Sequence, residues 1–162
     1  MKTIYTLIIS ILAVLITFSC NNKSQGNVDL PAGVNVAPDK MNKFILLGDS
    51  SEMANSHKNN ETLDLQIVNL SDKSVVFPDN YGVKIFTKNE GKWTEVQNNF
   101  YNAGAINLLP TKSAYPPGLL LTVLPYIPNL SSPLQIRIII AGNLENTNGE
   151  SIGAYLDVTL KP

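Results

Sequence analysis

Residues 62–86, TLDLQIVNLSDKSVVFPDNYGVKIF, indicate the fold class more clearly than any other stretch. Leu63, Leu65 and Ile67 alternate with polar residues, which is the period of two expected of a strand with one buried face. Residues 69–72 then supply Asn, Ser and Asp side chains, which hydrogen-bond to nearby backbone and tolerate turn conformations. The segment therefore predicts a strand followed by a turn.

The same alternation resumes after this turn. Val75 and Phe77 continue it, which predicts a hairpin with the preceding strand. A second turn at residues 78–82, which include Pro, Asp, Asn and Gly, precedes Val83 and Ile85 on a third strand. The whole stretch predicts an antiparallel meander and, with it, an all-β fold.

Further short strands are expected on both sides of the meander. Their apolar patterns cover residues 44–47, 93–96, 106–109, 119–124, 134–140 and 152–160, with hairpin turns at 89–92 and 146–149. The pattern gives eight or nine strands and no helix, which favours a two-sheet antiparallel sandwich. Residues 119–124 are apolar on both faces, so they need cover on each side or leave an adhesive patch.

Several features carry a resemblance to a known group of domains. They are Leu63-x-Leu-x-Ile-x-Asn69 with Val75-x-Phe77, Trp93 in the middle of the chain, and the closing strands at 136–140 and 154–160. This layout resembles the immunoglobulin-like domains of bacterial surface proteins over most of residues 42–160. The resemblance implies an immunoglobulin-like β-sandwich that serves as an adhesive or spacer module or as a small protease inhibitor.

The N-terminus has the features of an export signal. Lys2 precedes residues 4–18, an almost wholly apolar run that is shorter than the roughly 20 residues of a spanning helix. Ser19 and Cys20 follow it, and Cys20 is the single cysteine of the chain. This region resembles bacterial lipoprotein signal peptides. The resemblance implies cleavage before Cys20, a diacylated Cys20 as the mature N-terminus, and a lipid anchor that holds the domain outside the cytoplasm in the cell envelope.

Composition divides the remainder into a linker and a domain. Residues 20–39 are rich in Asn, Ser, Gln, Gly and Pro, which predicts an unordered tether. Fully extended, this tether would reach at most roughly 60 Å at about 3.3 Å per residue. The expected organisation is a signal peptide at 1–19, a lipid-anchored linker at 20–39 and a β-sandwich domain at 40–162.

The charge pattern argues against a nucleic-acid partner. Twelve Lys and Arg residues and thirteen Asp and Glu residues give a net charge of -1, and the basic residues are spaced singly. The sequence contains no Gly-rich phosphate loop, Cys/His metal block or pair of catalytic carboxylates. No cofactor is therefore expected.

Ser50 is the one candidate nucleophile. The run from Phe44 to Gly48-Asp49-Ser50 resembles the nucleophile block of GDSL-type esterases. Such an enzyme needs a base for Ser50, normally a histidine near the C-terminus, whereas the single histidine of this chain is His57. The missing base argues against a hydrolase, and we interpret residues 48–51 as a turn that ends a strand.

Three soft metal ligands lie near this turn. Met41, Met53 and His57 are types that suit Cu(I), but they are scattered, whereas copper carriers show denser clusters. A methionine near a first strand more often fills the core. No metal site is therefore predicted.

Four aromatic residues fall in the segment 97–133, which holds six of the ten prolines. Phe100, Tyr101, Tyr115 and Tyr126 are candidates for contact with a glycan or a peptide, or they close the ends of the sandwich. Trp93 lies in a strand between two turns and is expected in the core.

The sequence thus favours a noncatalytic lipoprotein anchored to a membrane through Cys20. Its domain would bind an unidentified protein or glycan through the aromatic side chains of the proline-rich segment. The alternatives are a protease inhibitor or accessory subunit of an envelope complex and, more remotely, a hydrolase that uses Ser50.

Overall fold

The computed structural model describes residues 28–41, 45–48, 56–69, 73–102, 106–108, 119–145 and 147–162. Within these residues the chain forms eleven strands and two 3-10 helical turns, Pro38–Lys40 and Asp79–Gly82. The strands are β1 (Ile45–Gly48), β2 (Ser56–Lys58), β3 (Leu63–Val68), β4 (Val75–Phe77), β5 (Lys84–Asn89), β6 (Lys92–Asn98), β7 (Ile106–Leu108), β8 (Leu119–Val123), β9 (Pro125–Tyr126), β10 (Leu134–Leu144) and β11 (Ser151–Lys161). The expected all-β class is confirmed. The strand count exceeds eight or nine because β2 and β9 are too short to show a periodic pattern.

The strands form a large sheet and a small sheet. The large sheet has the order β2-β11-β10-β5-β6-β9, and β4 pairs with the far end of β10 and with β7. The small sheet has the order β1-β3-β8 and is antiparallel. In the large sheet β2 runs parallel to β11, whereas the other pairs are antiparallel.

The predicted meander over residues 62–86 is wrong. Its first strand, β3, lies in the small sheet, whereas β4 lies in the large sheet, and β5 pairs with β10 and β6 instead of β4. The chain therefore passes from one sheet to the other between β3 and β4, where the Asn69 amide donates a 2.8 Å hydrogen bond to the Lys73 carbonyl. Alternation predicted the strands correctly, but it contains no information about which strands pair.

The main core lies between the two sheets. Both sheets contribute fully or almost fully buried side chains to one cluster: Leu63, Leu65, Ile67, Val75, Phe77, Tyr81, Ile85, Val96, Leu121, Val123, Ile136, Ile138, Ile140, Ile152, Ala154, Val158 and Leu160. Burial of apolar surface at about 25 cal/mol per Å² makes this cluster the main stabilising feature of the fold. The alternation expected for residues 134–140 and 152–160 is confirmed.

A second apolar cluster covers the opposite face of the large sheet. Val36 and Met41 are buried there against Phe86 and Ile139. Residues 28–41, which we call the strap, therefore pack on the sheet, although residues 20–39 were expected to be an unordered tether. Apolar side chains of the strap meet large side chains of β5 and β10 that would otherwise contact water.

Trp93 belongs to this outer cluster and not to the main core. Its ring is half-buried, lies edge-on to Phe86 with ring centroids 6.4 Å apart, and faces the strap. The expectation that Trp93 fills the core is therefore wrong, because Val96 takes the inward position on β6.

The turn at residues 89–92 is confirmed as a hairpin loop. Glu90 and Gly91, its two central residues, have φ values of 49° and 81°. Positive φ at both positions is typical of a type I′ turn, whose twist matches that of the flanking strands β5 and β6. Gly91 adopts this conformation without the steric cost that Glu90 incurs.

Candidate functional site

The structure places three of the four candidate aromatic residues on two neighbouring segments. Phe100 and Tyr101 follow β6, and Tyr126 lies in β9, which pairs with the end of β6. The side chain of Tyr101 is 62% exposed and that of Phe100 is 38% exposed, whereas Tyr126 is half-buried. Tyr115 lies outside the described residues, as do Cys20, Ser50 and Met53.

Asparagine side chains attach the segment 98–102 to the edge of β8. The Asn102 amide donates to the Thr122 carbonyl over 2.9 Å, and its oxygen accepts from the Thr122 N–H over 3.2 Å. Asn98 similarly accepts from the Leu124 N–H over 2.9 Å, and the Asn99 N–H donates to the Leu124 carbonyl over 2.8 Å. These bonds take the place of a neighbouring strand and hold the aromatic segment against the small sheet.

A left-handed turn lies beneath Tyr101. Asn80, Tyr81 and Gly82 have φ values of 56°, 53° and 59°, and two consecutive non-glycine residues in this region are unusual and costly. The Asn80 side chain compensates by accepting from the backbone N–H of Asn102 over 2.9 Å and from its amide over 3.0 Å. The turn and the aromatic segment therefore support each other.

Asp79 begins this turn and fixes the exposed end of Tyr101. The Tyr101 hydroxyl donates to Asp79 Oδ2 over 3.2 Å. This hydrogen bond raises the pKa of Tyr101 above its ordinary value of 10.0. Tyr101 thus presents its ring to solvent while its hydroxyl is held, so that binding a partner would cost little side-chain entropy. We call Phe100, Tyr101, Asp79 and Asn102 the Tyr101 surface.

Tyr81 supports the same region from below. Its side chain is 3% exposed, its ring centroid lies 5.7 Å from that of Phe77, and its hydroxyl donates to the Leu120 carbonyl over 3.2 Å. Burial raises the pKa of Tyr81 above its ordinary value of 10.0. The Leu120 side chain itself is 68% exposed, so of the apolar residues 119–124 one leucine faces solvent on the outer face of β8.

A charged and aromatic cluster that the sequence reasoning missed lies on the outer face of the large sheet. The Arg137 guanidinium carbon lies 5.2 Å from the ring centroid of Trp93 and 4.1 Å from that of Tyr155. Asp157 accepts from two Arg137 nitrogens over 2.6 Å and 2.7 Å, and these bonds raise the Arg137 pKa above its ordinary value. Asp29 of the strap lies at the rim of a cavity of about 350 Å³ here.

One signal could have revealed part of this cluster from the sequence. Residues 134–140 and 152–160 were expected to form a hairpin, and its register places Arg137 directly opposite Asp157. Trp93 and Asp29 come from distant segments, so no local pattern connects them to Arg137.

The scattered soft ligands are not brought together. Met41 bridges to Gly153 on β11, whereas His57 pairs with Leu160 near the other end of the same strand. Seven residues separate these positions, which corresponds to about 23 Å along a strand. Met53 lies outside the described residues. Among the residues that the structure does describe, no group of three or more His, Cys, Asp or Glu side chains is placed to hold a metal ion.

Comparisons with protein-family models, with curated proteins and with solved structures give no match. In the parts of the chain that the structure describes, no helix is long and apolar enough to cross a membrane. Arguments about function therefore depend on the residues of this chain and their geometry.

Proposed function

We propose that this protein is a noncatalytic bacterial lipoprotein whose domain binds a protein or glycan partner in the cell envelope. Acyl chains on Cys20 would hold the molecule on a membrane, with the domain outside the cytoplasm. Two acyl chains give durable attachment, since each buried methylene contributes about 0.8 kcal/mol. The Tyr101 surface would make the contact with the partner.

The observation that carries the binding proposal is the geometry of Tyr101. An exposed aromatic ring whose hydroxyl and backbone are both fixed combines large contact area with a low entropic cost of binding. The asparagine contacts to β8 supply the rigid support for this ring. Phe100 extends the apolar area, and Asp79 adds a polar group beside it.

The fold we propose for this module is an immunoglobulin-like β-sandwich. Support comes from a core shared by a large, mostly antiparallel sheet and a small antiparallel sheet, and from the crossing of the chain between sheets after β3. The loops and edge segments at one end of such a sandwich are common positions for binding residues.

The environment of His57 supports a noncatalytic role. Its side chain lies in β2 and is 8% exposed, whereas a general base must reach a proton on the substrate or the nucleophile. The hydrolase alternative with Ser50 requires such a base.

Capture by full-length protein variants tests the binding proposal. The protein is immobilised and exposed to envelope extract and to an array of envelope glycans. Tyr101→Ala should reduce the retained partner about tenfold, equivalent to roughly 1.4 kcal/mol. Val76→Ala is the matched control, because Val76 is a 37% exposed apolar residue on β4, outside the Tyr101 surface. Equal capture by wild type and Tyr101→Ala, with unfolding unchanged, would exclude the Tyr101 surface as the contact.

A further inference from the structure

The strap is held by two different kinds of contact along its length. At its C-terminal end Val36 and Met41 are 5% and 1% exposed. At its N-terminal end Asp29 makes ionic contacts that lie near solvent: the side chain of Asp29 is 58% exposed and that of its partner Lys88 is 42% exposed. Salt screens such exposed pairs but has little effect on buried apolar contacts.

Asp29 makes three contacts with the outer face of the large sheet. Its carboxylate accepts hydrogen bonds from Lys88 Nζ and, over 3.4 Å, from Trp93 Nε1. Its backbone carbonyl accepts from Arg137 Nη1 over 2.9 Å. A basic and aromatic pocket on the sheet therefore receives one residue of the strap.

This pocket is held in shape by contacts that do not involve Asp29. Asp157 binds Arg137 through two hydrogen bonds, and the guanidinium stacks on Tyr155. Lys88 lies 5.4 Å from the Trp93 ring centroid. Because the sheet positions all of these groups, we expect the pocket to keep its shape without Asp29.

Two clefts lie beside the N-terminal part of the strap. One cavity of about 350 Å³ lies beside Val28 and Asp29, and another of about 250 Å³ lies beside residues 33–35. Lys84 donates to the Gly33 carbonyl over 3.0 Å at the second cavity, which is again an exposed charged contact. Leu30 and Val34 pack on the outer cluster but are only partly buried, and Pro31 is buried, so release of residues 28–35 must give up this apolar contact as well. Val36 and Met41, at 5% and 1% exposed, are almost fully buried.

We propose that residues 28–35 form a salt-sensitive latch that docks in the Asp29 pocket and releases from it while Val36 and Met41 stay in place. Its consequence at a membrane rests on the proposed lipid anchor at Cys20. With the latch docked, the chain from Cys20 to Asp29 reaches at most about 30 Å; with the latch released, the chain from Cys20 to Val36 reaches about 55 Å. The latch thus sets how far the binding domain stands from the lipid surface.

Trp93 is the single tryptophan of the chain and reports directly on the latch. Its emission is measured in full-length protein between about 0.1 M and 1 M salt, over which the Debye length falls from about 10 Å to 3 Å. Wild type should shift its emission with salt, and Asp29→Asn should show the shifted emission already at low salt. Glu61→Gln is the matched control, because it removes an equally exposed ion pair with Lys58.

Identical emission of wild type and Asp29→Asn at every salt concentration overturns the latch. Hydrogen exchange supplies a second measurement: residues 28–35 should lose protection in Asp29→Asn while residues 36–41 keep it. Loss of protection in both ranges together would show release of the whole strap and would likewise overturn the latch as proposed.

Vesicles separate the latch from the anchor. Protein from its native membrane is reconstituted in phosphatidylcholine vesicles that carry a headgroup energy acceptor, and transfer from Trp93 is measured. Release by Asp29→Asn should lower the transfer by about twofold or more, since the tether lengthens. If Trp93 responds to Asp29→Asn but the wild-type protein does not associate with vesicles, the latch is supported and the anchor of the proposed function is refuted.

Discussion

The side chain of Asn102 forms hydrogen bonds with both backbone groups of Thr122, accepting from its N–H and donating to its carbonyl. One amide side chain thus occupies the position that a neighbouring strand would take along β8. Exposed strand edges promote association between chains, and side-chain bonds that occupy the edge reduce this tendency. The same contact holds the backbone beside Tyr101. Asn102 therefore both covers the exposed edge of β8 and supports the candidate binding surface.

Replacing Asn102 by Ala should destabilise the domain by about 1–3 kcal/mol, because the partly buried groups of Thr122 lose their partners. Urea unfolding measures the change. Asn99→Ala is the control, since Asn99 is exposed and contacts β8 through its backbone N–H. An Asn102→Ala variant as stable as the control would show that water replaces the amide at no cost.

Met41→Ala should cost about 2–5 kcal/mol, because it removes a side chain that is 1% exposed and packs on the outer face of the large sheet. Asn35→Ala, an exposed position in the same strap, should change stability by less than about 0.5 kcal/mol. If the two variants unfold at the same urea concentration, residues 28–41 behave as a tether and not as part of the folded domain.

Glu90→Asn should stabilise the protein by about 0.5–1 kcal/mol, because Asn tolerates the left-handed conformation and forms the preferred Asn-Gly pair with Gly91. Glu90→Gln serves as the control, since it removes the same charge but does not tolerate the left-handed backbone conformation better than Glu. Thermal unfolding compares the two variants. Equal melting temperatures would show that any stabilisation comes from removal of the charge and not from the backbone conformation.

The docking of Asp29 should weaken in acid. Hydrogen bonds first from Lys88 and then from Trp93 hold the Asp29 pKa below its ordinary value of 3.8. The docked state therefore favours the ionised form, so its contribution is present above pH 3.8 and is lost as the pH falls through the lowered pKa.

Trp93 emission between about pH 5 and pH 2 measures this loss. Lys88, Arg137, Tyr155 and Asp157 also face the pocket. The difference between wild type and Asp29→Asn isolates Asp29. Matching titration curves for the two proteins would contradict a role of the Asp29 charge in docking.

Local pattern was sufficient to predict most of the strands but not their arrangement. Leu63, Leu65 and Ile67 alternate with polar residues, and each one is buried in β3 as expected. Their pairing with β8 instead of β4 depends on a core that closes only when distant segments meet. A two-residue period fixes the faces of a strand and leaves its neighbours undetermined.

The strap could not have been predicted from its composition. Met41 fits against β11 because Gly153 has no side chain, and a Cβ there would lie 2.9 Å from the Met41 sulfur. Phe86 and Ile139 complete the site from two other strands. Burial of this segment therefore depends on shape at distant positions, whereas a window of sequence reports only polarity.

The candidate sites could be predicted from the sequence only in part. Tyr101 was selected because an aromatic residue in an irregular segment often contacts a partner, and its exposure is consistent with that role. The cluster at Arg137 was missed, although the pairing of Arg137 with Asp157 follows from the hairpin register. Asp29, Lys88 and Trp93 join it only in the folded chain.

The proposal of a membrane-displayed binding module depends above all on the chemical state of Cys20. Mass spectrometry of the N-terminal tryptic peptide, from protein purified from its native membrane, measures this state directly. We predict a peptide of residues 20–23 that begins at Cys20 and carries the mass of the acyl chains. A peptide with an unmodified Cys20 thiol, in a chain that retains residues 1–19, would contradict the anchor and the envelope display that depends on it.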